Sequence, residues 1–444
     1  MIEFDKGLDR EKVIKISKIK KEPKWMLEYR LDSFDKFINS KEPKFGPKIN
    51  LDINNITFYK ALDNEVVNKW SEVDKDINNT FEEIGIQKAE KEYLGGVHVQ
   101  FESKALYQNM IDELKEKNVI FTDTDTALQN YPEIFKKYFG TLVKNDDNKY
   151  ASLNGSVWSG GTFIYVPPHT KLERPLQSYF RINTKEIGQF ERTLIIVDEG
   201  SELHYIEGCT APKYSSDSLH AAVVEIFVEK NAKCRYTTIQ NWSNDVYNLV
   251  TKRAIVQEGA LMEWIDGNIG SKVTMKYPAC ILKGDYSKGT CITIALADKD
   301  QNQDTGAKMI HLGNNTRSNI LSKSIARNGG NASYRGLVKI SKSSKNSYAN
   351  VKCDTILLDE FSKSDTYPTN ICKNNSSSIE HEATVSKINP DELFYLMTRG
   401  ISEEKATELL IMGFLEAFKE ELPLEYAVEL NNLLKNEIPK GCPL

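Results

Sequence analysis

The chain has 444 residues, with 58 Lys and Arg against 63 Asp and Glu and a formal net charge of −5. That length exceeds one ordinary globular core, so two or three domains or one elongated repeat domain are expected; the charge balance argues against a nucleic-acid surface, which needs clustered positive charge. No apolar run approaches the ~18–20 residues that cross a bilayer, and the charged opening stretch lacks the apolar core of a secretory leader, so no membrane insertion is expected and the cytoplasm, or an organelle interior if encoded there, is the expected compartment.

Residues 1 to about 40 read as helical. Trp25, Met26, Tyr29, Leu31, Phe34 and Phe37 recur at helical spacing, and Pro23 precedes the run as a helix start. Residues 41–60 are rich in Pro, Lys and Asn and read as a connector. Between Phe81 and Phe139, amphipathic segments such as ALYQNMIDELKEK and YPEIFKKYF alternate with short extended pieces. Residues 1–145 are therefore read as an N-terminal helical domain with some strand.

Beyond Lys149 the pattern changes to short β-rich runs between Gly, Asn, Lys and Asp turns, and the runs repeat. LIIVDEGSELHYIEG, VEIFVEKNAKCRYTTIQN and RAIVQEGALMEWIDGN align with Gly200, Asn231 and Gly259 at one turn, in steps of 31 and 28 residues. LKGDYSKGTCITIAL, MIHLGNNTRSNILSKSIA and LVKISKSSKNSYANVKC continue the series with looser turns. A strand, turn and strand unit at that period, without a helix, implies a β-solenoid whose rungs pair in parallel. The expected fold is mainly β: a right-handed parallel β-helix over 146–385, flanked by helical domains at 1–145 and 386–444.

Near Asn389 the period becomes helical. Asn389 and Pro390 make a cap and first turn, Gly400 stops that helix, and Ser402 caps the next. Ala406, Leu410, Gly413, Phe414 and Ala417 form its expected stripe, widened by Leu409 and Phe418. Pro423 starts a last helix carrying Tyr426, Ala427, Leu430, Leu433 and Leu434.

Chemistry concentrates in two places. Residues 351–388 hold Cys353, Cys372 and the triplet Glu380, His381, Glu382. In an extended strand Glu380 and Glu382 face one side and His381 the other. A thiolate with a carboxylate or an imidazole is a ligand set for iron or zinc rather than calcium or magnesium. On spacing alone it reads more readily as one buried structural cysteine beside a charged surface strand.

The second place follows from the repeat. Cys209, Gln240 and Asn268 each lie nine residues after their turn residue and should be neighbours on adjacent rungs, with Arg181 one period before Cys209. Buried polar groups need partners, so this column serves structure as readily as function. Cys234, Cys280 and Cys291 read as small core residues and Cys442 as a tail residue. Seven cysteines without a disulfide framework suit a reducing compartment. No H-x-x-x-H pair and no phosphate-binding G-x-x-x-x-G-K-[ST] loop occurs, so any ATP is bound by a partner.

CKNNSSSIEHEATVSKI followed by LFYLMTRGISEEKATELLIMGFL, with IEGCTAP around Cys209 and NLVTKRA around Lys252, closely resembles the SufB/SufD family of the Suf iron–sulfur cluster assembly machinery. The resemblance runs from about residue 93 to 426. Within the family it points to the cysteine-bearing scaffold branch, since the SufD-like structural paralogue lacks the cysteine and EHE pairing.

The resemblance implies that Cys209 accepts persulfide sulfur from a cysteine desulfurase and sulfur carrier. It makes Arg181, Asn183, Gln240, Trp242 and Lys252 the relay. A nearby Arg181 or Lys252 would then lower the thiol pKa. It further implies a nascent, transient iron–sulfur cluster at Cys353 with Glu382 as its carboxylate partner, His381 next in line, Glu380 beside them and Cys372 as a lower-ranked alternative. The implied partners are a SufC-like ATPase on the C-terminal helices and a SufD-like paralogue, or a second copy, against the β-helix. A reduced flavin in the assembled complex is also implied, although no flavin motif occurs here. The chain itself would be a non-catalytic scaffold. The rivals are a SufD-like structural subunit and a polysaccharide-active β-helix enzyme.

Overall fold

The computed structural model describes residues 2–421, apart from 62–65, 76, 79–81, 83–85, 183–185 and 211–216. The last helix expected after Pro423, Cys442, and Asn183 therefore lie outside the described residues.

The centre of the chain coils into a parallel β-solenoid with two facing walls. Its turns explain the repeat. Gly200, Asn231 and Gly259 have φ of +66°, +55° and +65°, the left-handed region that Gly and Asn enter at least cost. Their N–H groups donate to the carbonyls of Lys230, Glu258 and Asp285, each in the turn one rung on, at 2.9, 2.8 and 2.9 Å. The looser turns obey the same rule: Tyr286 and Asn315 donate to the Asn314 and Lys345 carbonyls, both at 2.8 Å. Each turn thus positions the next, and register carries along the solenoid.

Between turns the strands alternate, and the inward residues stack. Tyr205, Tyr236 and Trp264 are Cα partners on successive rungs, with ring centroids 5.0 and 5.2 Å apart. They join Cys234, Cys280 and Cys291 in the main core.

The first wall starts before the expected boundary at 145. Gly96–Phe101 already pairs in parallel with Leu176–Arg181. Lys104–Met110 then returns antiparallel and closes that end. The first half of ALYQNMIDELKEK is thus strand rather than amphipathic helix, because pairing on an open sheet edge outweighs local helix preference. Arg10–Ile19, Lys24–Asn39 and Lys149–Val157 are helices. Buried Arg30 ties them together: it pairs with Glu22 at 2.6 Å and donates to the Ser156 and Trp158 carbonyls.

At the other end Asn389 and Ser402 cap Pro390–Thr398 and Glu403–Phe414 as expected, and Gly400 sits at φ +83° between them. The buried stripe is rotated by about one residue: Ala406, Ile411, Leu415 and Phe418 are buried, while Leu409 is 43% exposed. The chain restarts as a short helix at Glu416–Lys419, which turns Phe418 onto outward-facing Ile206, Ile239, Ile265 and Ile292. The last rung, Thr366–Cys372 and Ser378–Lys387, carries no further strand among the described residues, and its side chains are largely exposed. No helix among the described residues is long and apolar enough to cross a membrane.

Candidate functional site

Register arithmetic places the acceptor candidate. Cys209, Gln240 and Asn268 are successive Cα partners, so the column read from the repeat exists. Arg181 is not in it. Cys209 pairs with Phe180, and Arg181 pairs with Thr210, one residue out of step. Pleat alternation therefore turns Arg181 to the other side of the wall.

Two residues earlier on each rung runs a second column that the sequence reading missed. His98, Ser178, Glu207, Thr238, Asp266, Thr293, Ser322 and Cys353 are consecutive Cα partners, all buried. From Glu207 onward every member carries a polar side chain or a thiol. Five steps of about 4.8 Å, roughly 24 Å, separate the Cys209 rung from the Cys353 rung. The signal was present in the sequence: Glu207, Thr238 and Asp266 each lie seven residues after Gly200, Asn231 and Gly259.

Around Cys209 the site is acidic and buried. The thiol is 1% exposed and 3.9 Å from Glu207 Oε1. The Tyr236 hydroxyl donates to the other oxygen of Glu207. His220 lies between Glu191, at 2.9 Å, and Asn248, at 2.7 Å. Although burial opposes the imidazolium, Glu191 raises the His220 pKa. Trp242 packs its ring 4.8 Å from His220 and belongs to the same apolar cluster as Cys209. The expected lowering of the thiol pKa does not occur. Burial pushes it well up, Glu207 and Glu191 add to that, and Lys252 and Lys276 offset only part.

Lys252 projects inward from the opposite wall. Its ammonium donates to Thr238 Oγ1 at 2.7 Å and Asp266 Oδ1 at 3.2 Å. Lys276, which unlike Lys252 the sequence reading did not single out, donates to the same Asp266 oxygen at 3.3 Å and to Gln240 Oε1 at 3.0 Å. Burial opposes the Asp266 carboxylate, but the two lysines outweigh it and lower its pKa. Burial lowers Lys276 to about 8, despite Asp266.

At the open end Cys353 Sγ lies 3.4 Å from His381 Nε2. Alternation explains the pairing: Lys352 is the Cα partner of Glu382, and Val351 of His381, so Cys353 and His381 share the inward face. The structure brings these two together and sets Glu382 apart, its carboxylate outside at 3.7 Å from Lys352 Nζ. Glu380 also faces out and accepts from the Tyr348 hydroxyl at 2.7 Å. Cys372 is exposed on the neighbouring strand, its thiol directed to the Asn374 and Ser377 carbonyls.

Burial and Asp354 raise Cys353 to about 11, and burial lowers His381. Asn370 contacts His381 Nδ1 at 3.1 Å. The Asn370 amide N–H donates to Nδ1, which puts the ring proton of the neutral imidazole on Nε2, facing the Cys353 sulfur. The Tyr334 ring closes the far wall, 6.2 Å from the His381 ring. Thiolate and imidazole suit iron or zinc, and no cluster of three or more His, Cys, Asp or Glu exists among the described residues to complete a closed site.

Comparison with known proteins assigns this architecture. The family model described as "SUF system FeS cluster assembly, SufBD core domain" matches residues 180–414, and "SufBD protein N-terminal region" matches residues 19–178. The chain is 54% identical over 435 residues to "Iron-sulfur cluster assembly protein SufB" of Bacillus subtilis (strain 168), covering 98% of this chain and 94% of that one. It is 55% identical, with the same coverage, to an iron-sulfur cluster assembly SufBD family protein of Staphylococcus aureus (strain MRSA252).

Proposed function

Since the chain belongs to the SufBD family of iron–sulfur cluster assembly proteins, we propose that its scaffold role divides between two ends of one lumen, with sulfur received at Cys209 and a cluster begun at Cys353. Cys209 takes the outer sulfur of a donor persulfide. Its sulfur bonds to that atom, the donor's S–S bond breaks, and the donor leaves as a thiol. Glu207, whose pKa burial raises, is the nearest base and holds the Cys209 proton during the exchange.

At the far end Cys353 and His381 take iron as substrate. Two ligands from the lumen leave iron positions open for sulfide, for a partner's ligands and for later release. Glu380, Glu382 and Cys372 lie on the rim, where a SufD-like paralogue or a second copy would cover the exposed last rung. A SufC-like ATPase would dock on the C-terminal helices, where Phe394 and Tyr395 are 68% and 57% exposed.

The observation that carries this reading is the unbroken inward column from Glu207, beside Cys209, to Cys353. Anaerobic reconstitution with partner subunits, iron, cysteine and a desulfurase tests it through sulfur-to-iron charge-transfer absorption. Cys209→Ser and Cys353→Ala are expected to lose the bands. Bands of wild-type intensity in Cys353→Ala would end the cluster-site reading and leave a structural paralogue.

A further inference from the structure

Lys276 is one lysine more than Asp266 needs. Lys252 already pairs with that carboxylate at 3.2 Å, yet Lys276 reaches the same oxygen at 3.3 Å. All three side chains are at most 1% exposed. Two ammonium ions contact one carboxylate; Glu207 acts on both without a hydrogen bond to either, so one ammonium lacks a contacting counter-charge in a buried interior, where that is costly.

The donors are in excess as well. An ammonium has three N–H groups. Lys276 spends two, on Asp266 and Gln240 Oε1, and Lys252 spends two, on Thr238 and Asp266. Gln240 Nε2, with both its hydrogens, and Trp242 Nε1 are buried and have no hydrogen-bond partner among the described residues. This donor-rich pocket adjoins Cys209, because Gln240 is its Cα partner on the next rung.

We propose that Lys276 is a positioning residue: with Lys252 and the Gln240 carboxamide it forms an anion hole for the terminal sulfur of a Cys209 persulfide. The inference rests on Cys209 as the sulfur acceptor. A persulfide lengthens the side chain by one S–S bond of about 2 Å, into the lumen. The bare thiol stays uncharged among Glu207 and Glu191. Negative charge on the Cys209 side chain itself therefore arrives only with the extra sulfur, and the hole distinguishes a loaded Cys209 from an empty one. Ionisation of Cys209–S–SH gives Cys209–S–S⁻ and a proton, which Glu207 accepts.

Two measurements on the full chain test this, with Lys276→Met and Lys276→Arg as variants and circular dichroism confirming their fold. In crystals soaked with iodide, an anomalous peak is expected between Lys252 and Lys276 in wild type, retained in Lys276→Arg and absent in Lys276→Met. In chain loaded by a desulfurase, the Cys209 persulfide is alkylated with iodoacetamide across pH. The rate at pH 6 is expected to fall about tenfold in Lys276→Met, a shift of one pH unit in its ionisation, and to recover in Lys276→Arg.

No iodide peak in wild type overturns the hole. A peak with the same alkylation profile in wild type and Lys276→Met overturns its assignment to the persulfide. A wild-type Cys209 that accepts no sulfur overturns the acceptor reading itself, and with it the persulfide as ligand.

Discussion

Cys353 and His381 meet across the last two rungs, Sγ 3.4 Å from Nε2, although neither is the other's Cα partner. His381 stacks on Val351 and reaches diagonally over it to the thiol. Glu382, its neighbour in sequence, is committed to the opposite face by the same pleat.

That geometry ranks the ligands. With cobalt(II) as a spectroscopic stand-in for iron(II), titration of the isolated chain should give thiolate-to-metal absorption that Cys353→Ala abolishes. His381→Ala should weaken binding by about tenfold or more, as loss of one of two donors does. Glu382→Ala should bind within about twofold of wild type. A Glu382→Ala loss as deep as that of His381→Ala would mean that the last rung rearranges when metal arrives.

Metal capture at this pair should also be proton-coupled, with one proton. The Cys353 thiol, raised to about 11, is protonated at neutral pH and must lose its proton to bind. His381, lowered by burial, is already neutral and releases none. Cobalt affinity should therefore rise about tenfold per pH unit between pH 7 and 9. A slope near zero would show that the thiol is not a ligand, and a slope near two would show a second proton released.

Much of this was legible in the sequence because a solenoid is a counting problem. Gly200, Asn231 and Gly259 mark the same left-handed turn, and counting nine onward gives the Cys209, Gln240, Asn268 column. Arg181 failed because the 28-residue step carried back from Cys209 lands one residue beyond Phe180, and one residue reverses the face. Lys276 was illegible for a different reason. It belongs to the opposite wall, where Val273–Lys276 pairs with Tyr247–Val250, and counting on from Gly200, Asn231 and Gly259 indexes only the wall that follows those turns. The thiol pKa was misjudged from charge identity alone: Lys252 is near Cys209, but burial and two carboxylates outweigh it.

The Asp266 triad makes a stability prediction with a definite order. Removing the carboxylate leaves two buried ammonium ions facing each other, so Asp266→Ala should cost about 3–5 kcal/mol in urea denaturation. Lys276→Met leaves the Lys252–Asp266 pair intact and should cost less. The double variant Asp266→Ala with Lys276→Met should recover part of the loss. If Lys276→Met alone is the more damaging, the charge excess assigned to this triad is wrong.

The column between the two cysteines can be interrupted without touching either. Thr293 and Ser322 are the partners that link Asp266 to Cys353, and Thr305 and Tyr334 face the lumen from the other wall with hydroxyls that have no hydrogen-bond partner among the described residues. Thr293→Val keeps shape and removes polarity, a change that is close to neutral for stability when no buried partner is stranded; Asn268 Nδ2, 3.3 Å from the Thr293 hydroxyl, keeps its bond to the Ile294 carbonyl. Ser322→Val adds bulk to the same path. With both in place, mass spectrometry after desulfurase loading should find persulfide on Cys209 at the wild-type level and sulfur on Cys353 reduced about tenfold or more, the discrimination that one or two lost polar contacts supply. Equal sulfur on Cys353 would mean that sulfur reaches the open end from outside the solenoid, and that the polar column holds the fold alone.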